Sequence, residues 1–269
     1  MPLTTMKRLL ILPLLSLLFG CSESRIANEY TNNSIRSPSY IERDPYRHPN
    51  STLDFFEISD SQTVVEIWPG GGWYAEILAP YLSENGQYYA AHFPKDSNIG
   101  FFSRMRAKFD KSLIERSNVY KNTITTSFQP PLSVEIAPAS SADSVLTFRN
   151  VHNWMRNDGE QAAFDSFYKA LKPGGLLGVV EHRAPQSFNI KEMIDSGYVS
   201  EEYVKKLASK SGFVFEASSE INANAKDSKS HPKGVWTLPP SLRLGDRDKN
   251  KYLAIGESDR MTLKFRKPK

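Results

Sequence analysis

The chain has one cysteine in 269 residues, so no disulfide can form within it. Long apolar runs are missing too: the stretch at residues 9–19 has eleven residues, whereas a spanning helix needs about 20. Charge of one sign is scarce, since 34 Lys and Arg face 30 Asp and Glu for a net of +4, with bases and acids interleaved. That balance implies no nucleic-acid partner, and the terminal KFRKPK reads as the solvated end of a last strand. Histidine is sparse at five, and no HxH or HExxH spacing brings metal ligands together locally. There is no internal repeat.

What is present begins with MPLTTMKRLLILPLLSLLFGC: basic Lys7 and Arg8, a short apolar run, then small Gly20 before Cys21. The pattern resembles a bacterial lipoprotein signal over residues 1–20, with Cys21 as the acylated residue. This implies a periplasm-facing protein of the cell envelope, held to a membrane by an N-terminal lipid, and Ser22 suggests outer-membrane sorting. Loss of Lys7 and Arg8 with the leader leaves a net charge near +2. Residues 21–42 are rich in Ser and Asn without an apolar period, which suits a flexible tether. The folded body is expected over 43–269, one domain with 39% apolar and 12% aromatic residues in the whole chain.

Within that body, apolar runs alternate with helical periods. After Ser51 as N-cap, TLDFFEI offers a short helix. Strands are expected at 63–68, at 87–93 and in VYKNTITTSF, SADSVLTFRN, LLGVVEHR and FVFEASSE, with DRMTLKF closing the chain as an edge strand. Ile99, Phe102, Met105, Phe109 and Leu113 recur at helical spacing and read as core. Further helices fall at 159–171, stopped by LKPGG, and at 200–211, begun by Ser200. The rhythm is βαβ, hence a mostly parallel α/β sheet. Residues 221–258 form a long insertion of lid-like character, expected over the carboxyl ends of the strands.

The segment TVVEIWPGGGWYAEILAPYL carries the strongest local signal. An apolar strand ends near Glu66, three glycines follow at Gly70, Gly71 and Gly72, and an amphipathic pattern starts. A strand, a glycine turn and a helix start let backbone N–H groups approach a ligand. This segment resembles the first motif of class I S-adenosylmethionine-dependent methyltransferases, with Trp68 in place of the usual first glycine. EIWPGGGWY, RNVHNWM, LKPGGLLGVVEHR and SDRMTLKFRKP together resemble a bacterial family of methyltransferases over roughly residues 40–268. The resemblance implies a Rossmann-like, seven-stranded, mostly parallel sheet with an antiparallel edge strand and helices on both faces. It implies S-adenosylmethionine as cofactor, held by Glu66, Gly70, Gly71, Gly72 and, at the ribose position, His92. The two acids that complete the superfamily's cofactor site have no counterpart here: TTSFQPP follows the third strand, and His92 ends the second.

Glu66, His92, His152 and His182 all fall at strand ends, where open α/β sheets bind ligands. In RNVHNWM, His152 occupies the position of the base in small-molecule O-methyltransferases, so methyl transfer to a hydroxyl of a small molecule is expected. Trp154 reads equally as substrate wall or aromatic core. His182 lies beside Glu181, but successive strand residues face opposite ways. Arg47 and His48 precede the first helix and are substrate or lid candidates. So is His231, clustered with Asp227 and Lys226, Lys229 and Lys233, while Trp236 suits a rigid lid edge. A metal held by His92, His152, His182 and Glu66 would need strand ends to converge, and no metal site is assigned. The alternative is an envelope lipoprotein that keeps the fold but binds another ligand without methyl transfer, since S-adenosylmethionine is made in the cytoplasm and fold does not fix function.

Overall fold

A computed structural model describes residues 28–31 and 35–269; the leader, Cys21 and residues 21–27 lie outside it. Among the described residues there are eight strands: β1 Thr63–Ile67, β2 Gln87–His92, β3 Ile124–Ser127, β4 Ala142–Phe148, β5 Leu171–His182, β6 Val214–Ser219, β7 Pro232–Val235 and β8 Arg260–Arg266. All but β7 join one sheet in the order β3-β2-β1-β4-β5-β8-β6. Pairing is parallel from β3 to β5, and β8 runs antiparallel to both its neighbours. The fold is thus Rossmann-like and mostly parallel, with antiparallel pairing at one edge. DRMTLKF is not itself outermost: β6 flanks it, and β8 residues Met261, Leu263 and Phe265 are almost fully buried. An inner position suits so apolar an alternation better than a solvated edge would.

Eleven helices surround the sheet in the described residues: α1 Asn28–Thr31, α2 Pro38–Ile41, α3 Asp44–Arg47, α4 Pro49–Phe55, α5 Ala75–Leu82, α6 Gly100–Glu115, α7 Val151–Trp154, α8 Glu160–Ala170, α9 Ile190–Ser196, α10 Glu201–Lys210 and α11 Lys249–Ile255. No helix among the described residues is long and apolar enough to cross a membrane. Strand alternation sends Val65 and Ile67 to a core on one sheet face and Val64 to a second core on the other. Each fully buried Val, Leu, Ile or Phe contributes about 1.5–3 kcal/mol. Ser200 caps α10 as expected, its side chain accepting from the Tyr203 N–H. Ser51 does not cap α4; the helix starts three residues earlier than expected, at Pro49, with His48 in the cap position, because proline's fixed φ suits a first helical turn.

Residues 35–42, read as the end of the tether, are held against the folded body. Arg36 is 2% exposed and pairs with Asp44 at 2.7 Å. The Ser37 N–H donates to Glu76 at 2.6 Å, and Arg116 bonds both Ser37 and Glu76. This stretch is fastened by polar contacts, which leave no apolar period in the sequence.

Candidate functional site

In the sheet, β1 and β4 lie side by side where the strand order reverses, so the loops after them flank the crevice that such sheets use for ligands. After β1, Trp68 takes a left-handed backbone (φ 48°), followed by left-handed Gly70 (φ 61°) and Gly72 (φ 94°). The position usually glycine is thus filled by a tryptophan in glycine's conformation. Its ring packs against Phe93 at 4.7 Å, Phe102 at 5.3 Å and Trp154 at 5.6 Å, and its Nε1–H donates to the Phe128 carbonyl at 2.7 Å. These contacts offset the roughly 1–2 kcal/mol that a left-handed non-glycine residue costs.

The glycines serve different purposes. A Cβ at Gly71 would meet the Tyr40 hydroxyl at 2.6 Å, and one at Gly72 would meet that of Tyr120 at 2.9 Å, so the protein's own packing requires both. At Gly70 nothing lies nearer than 4.0 Å. Gly70 and Gly71 line a cavity of about 810 Å³, together with Trp68, Phe93, Phe102 and Met105 on an aromatic-rich side. Ile99, Phe102 and Met105, read from periodicity as core, therefore face this cavity, whereas Phe109 is fully buried. A helical period identifies an apolar face without saying whether that face meets core or ligand space.

His92 supports the turn from beneath. It is fully buried, its Nδ1 accepts the Phe93 N–H at 2.8 Å, and Nε2 therefore carries the proton donated to the Gly70 carbonyl at 3.0 Å. Burial lowers its pKa to about 4, so it is neutral and out of a ligand's reach. Glu66 is likewise buried on the opposite side of β1 from Val65 and Ile67, where it accepts from the Tyr88 hydroxyl at 2.6 Å. Burial raises its pKa to about 7. Neither residue lines the cavity.

The other wall is polar. Beyond β4, Arg149 (φ 64°) leads through Asn150 into α7, and Arg149, Asn150, His152 and Asn153 face the cavity. The Asn150 side chain donates to the Ile67 carbonyl at 2.9 Å, locking the two loops together. His152 Nδ1 lies 3.1 Å from Glu181 Oε1. The same carboxylate accepts the N–H groups of Val151 at 2.7 Å and His182 at 2.8 Å. Glu181 thus fixes the ring and the Nδ1–H tautomer of His152, leaving Nε2 as its free basic nitrogen. His182 Nδ1 pairs with the Ser258 hydroxyl at 2.5 Å, and the His152 and His182 rings stand 5.4 Å apart. Burial, helped by His152 and the charges of Arg260, Arg149 and Arg47, holds His182 well below the ordinary histidine range.

The insertion supplies a roof: Trp236, Pro239 and Pro240 line the cavity, and the Trp236 ring lies 5.9 Å from that of His152. Arg156 and Arg243 stack on Trp236 at 5.0 and 4.6 Å. The rest of the insertion is anchored. Buried Asp227 accepts from Tyr198, from His231 Nε2 at 2.8 Å and from the Lys229 and Asp259 N–H groups, while Lys229 pairs with Asp259 at 2.9 Å. His231 is therefore a structural clamp outside the main cavity, not a closing contact. His48 is an exposed corner between α3 and α4, also away from the cavity. Trp154, 1% exposed, resolves to core. Arg47 does line the cavity, 4% exposed.

Of the four residues weighed as metal ligands, only His152 and His182 converge, with Glu181; their ligand atoms lie within 4.8 Å of one another. The Glu181 oxygens already take three N–H donors, and Arg47, Arg149 and Arg260 raise the local positive potential at His182. Such surroundings favour an anion over a divalent cation. Sequence reading missed Arg149 and Arg260 and weighed Glu181 only against its neighbour His182, whereas its side chain serves His152; Arg149 opens the RNVHNWM motif, which was the available signal.

No family profile and no curated protein matches this chain. Solved structures do resemble it. An S-adenosylmethionine-dependent methyltransferase from Aquifex aeolicus has TM-score 0.57 at 14% identity over 86% of this chain and 94% of its own. The cyclase SpnF has TM-score 0.56 at 16% identity over 89% and 86% of the respective chains. The CurJ carbon methyltransferase has TM-score 0.51 at 12% identity over 87% of this chain and 56% of its own. At these identities the likeness is one of fold, the Rossmann-like architecture of methyltransferases. That a cyclase shares it shows how little the fold alone dictates the reaction.

Proposed function

We propose that this protein is an S-adenosylmethionine-dependent methyltransferase for a small molecule, transferring to a hydroxyl with His152 as base. One observation carries the reading: a glycine turn and an imidazole oriented by a buried carboxylate open on the same cavity. The cofactor supplies an electrophilic sulfonium methyl. The cavity has room for it and an acceptor, the Trp68, Phe93 and Phe102 side offers stacking surface for an adenine, and Gly70 leaves backbone open to approach. With His92 sequestered and no carboxylate among the residues lining the cavity, ribose hydroxyls lack the charge-assisted hydrogen bonds that an acid would supply, each worth about 1.5–3 kcal/mol.

His152 Nε2 takes the acceptor's hydroxyl proton as the new bond forms, while Glu181 holds the Nδ1–H and stabilises the resulting imidazolium. Trp236 and the two prolines line the cavity beside His152. Calorimetric titration of S-adenosylmethionine and S-adenosylhomocysteine tests the reading; absence of binding at millimolar cofactor would sink it. A second reading, favoured by the burial of His92 and Glu66, is a protein that keeps this fold for another ligand, and it expects that negative result.

We also propose, from the leader alone, that Cys21 carries a lipid that holds the domain in the envelope. Cys21→Ser should then move the protein from membrane to soluble fraction. Unchanged partition would discard the anchor.

A further inference from the structure

The polar end of the cavity holds more positive charge than the protein around it balances. Arg43, Arg47, Arg149 and Arg260 all line it. One carboxylate, Glu257, serves three of them: Arg43 at 2.6 Å, Arg47 at 3.5 Å, and Arg260 directly. Burial pushes the Glu257 carboxyl up, but Arg260, Arg47 and Arg149 outweigh it and hold the group well below the carboxylate range.

Arg149 has no side-chain hydrogen bond or salt bridge among the described residues, although burial and neighbouring Arg260 bring its pKa down to about 10. Arg47, 4% exposed, makes no side-chain hydrogen bond: its buried Nε stands 3.5 Å from Glu257 as an ion pair but donates to no acceptor. The Nε of Arg260 is unpartnered as well, while its Nη1 donates to the Tyr46 carbonyl at 2.9 Å.

No other carboxylate makes up the difference. Glu66 is turned to Tyr88, and Glu181 is committed to Val151, His152 and His182. Four guanidinium groups face one dedicated carboxylate in a partly desolvated pocket, an arrangement that is unfavourable unless a further anion completes it. Arginine presents a planar fork of donors matched to carboxylate and phosphate oxygens.

We propose that Arg47, Arg149 and Arg260 form an oxyanion subsite that holds the carboxylate or phosphate group of a small molecule bound beside His152 and His182. The binding claim stands on the charge distribution; only the description of that molecule as a methyl acceptor rests on the function proposed above. Two sources share the chemistry, the acceptor's own oxyanion and the amino-acid carboxylate of the cofactor.

The test is titration of the intact folded domain with inorganic phosphate, followed by phosphorus line broadening. The wild type should bind saturably at one site. Arg149→Met should weaken binding at least tenfold and Arg149→Lys by less, with melting temperatures no lower than wild type because an unpaired cation has been removed. Phosphate should raise the melting temperature of the wild type and not that of Arg149→Met. Equal phosphate affinity in wild type and Arg149→Met, or no saturation in the wild type at tens of millimolar, would overturn the subsite.

The source is read from S-adenosylhomocysteine and 5′-methylthioadenosine, which lacks the carboxylate. If the acceptor supplies the anion, phosphate binds as well to S-adenosylhomocysteine-saturated protein. If the cofactor does, S-adenosylhomocysteine displaces phosphate, and Arg149→Met weakens it but not 5′-methylthioadenosine. Phosphate binding without any methyl transfer would leave the subsite standing and remove the enzymatic reading.

Discussion

The two walls of the cavity are built on different physics. Trp68, Phe93 and Phe102 form a wall of stacked rings whose one strong polar tie is the Trp68 indole to Phe128. Opposed to it in character, the other wall is polar: buried Glu181 holds His152 and the His182 N–H, and buried Glu257 pairs with Arg47. Stacking surface tolerates small displacements because it is non-directional, while hydrogen-bonded charge does not. On the function proposed above, recognition of a flat apolar group would belong to the first wall and proton transfer to the second. Substitution of His152 by Ala should separate them most sharply: turnover falls by about 10²–10⁴, while S-adenosylhomocysteine affinity changes less than threefold. Equal loss of both in calorimetry and initial rates would mean that the walls do not divide the labour.

Trp68→Ala probes the aromatic wall. Loss of the ring should destabilise the fold by about 3–5 kcal/mol, read as a lower denaturation midpoint, and weaken S-adenosylhomocysteine. A Trp68→Ala protein as stable as wild type would show that the rings decorate the cavity without building it.

Glu66 sits below both walls, and its titration tells which it serves. Its folded pKa, about 7, stands above the ordinary 4.5, so the native state binds protons more readily than the unfolded chain between those values. The associated stability is fully present below about pH 4.5, declines as pH rises through 7 and is then flat, a total of about 3 kcal/mol. Glu66→Gln should flatten that decline and be the more stable protein at pH 8, with cofactor binding retained. Denaturation curves across pH check the slope; lost binding in Glu66→Gln would return Glu66 to the cofactor site.

How much of this was legible follows from how local each signal is. The strand, glycine turn and α5 lie within twenty residues, and their pattern fixes them. His152 was legible for the same reason. Arg149 follows β4 and Arg260 opens β8, far apart in the chain, and only the sheet order brings them together. His231 misled because a basic loop looks like an anion clamp until Asp227 is seen to take four donor groups. Residues 35–42 misled in the opposite sense: fastening through Arg36, Ser37 and Tyr40 leaves no hydrophobic period to read.

The smallest expected effect is the most local. Gly71 and Gly72 are glycines because Tyr40 and Tyr120 occupy the space of a side chain, whereas Gly70 has open space and a left-handed backbone. Asparagine tolerates that backbone better than other residues with a side chain, so Gly70→Asn should melt within a few degrees of wild type. Its side chain would then project from a residue that lines the cavity. If the turn receives a ligand by close backbone approach, S-adenosylhomocysteine should weaken about tenfold, roughly 1.4 kcal/mol, while phosphate binding at the arginine end is unchanged. Undiminished S-adenosylhomocysteine binding would place the contact elsewhere, and a parallel loss of phosphate would show that the two ends of the cavity are coupled through the Asn150 bridge between the loops.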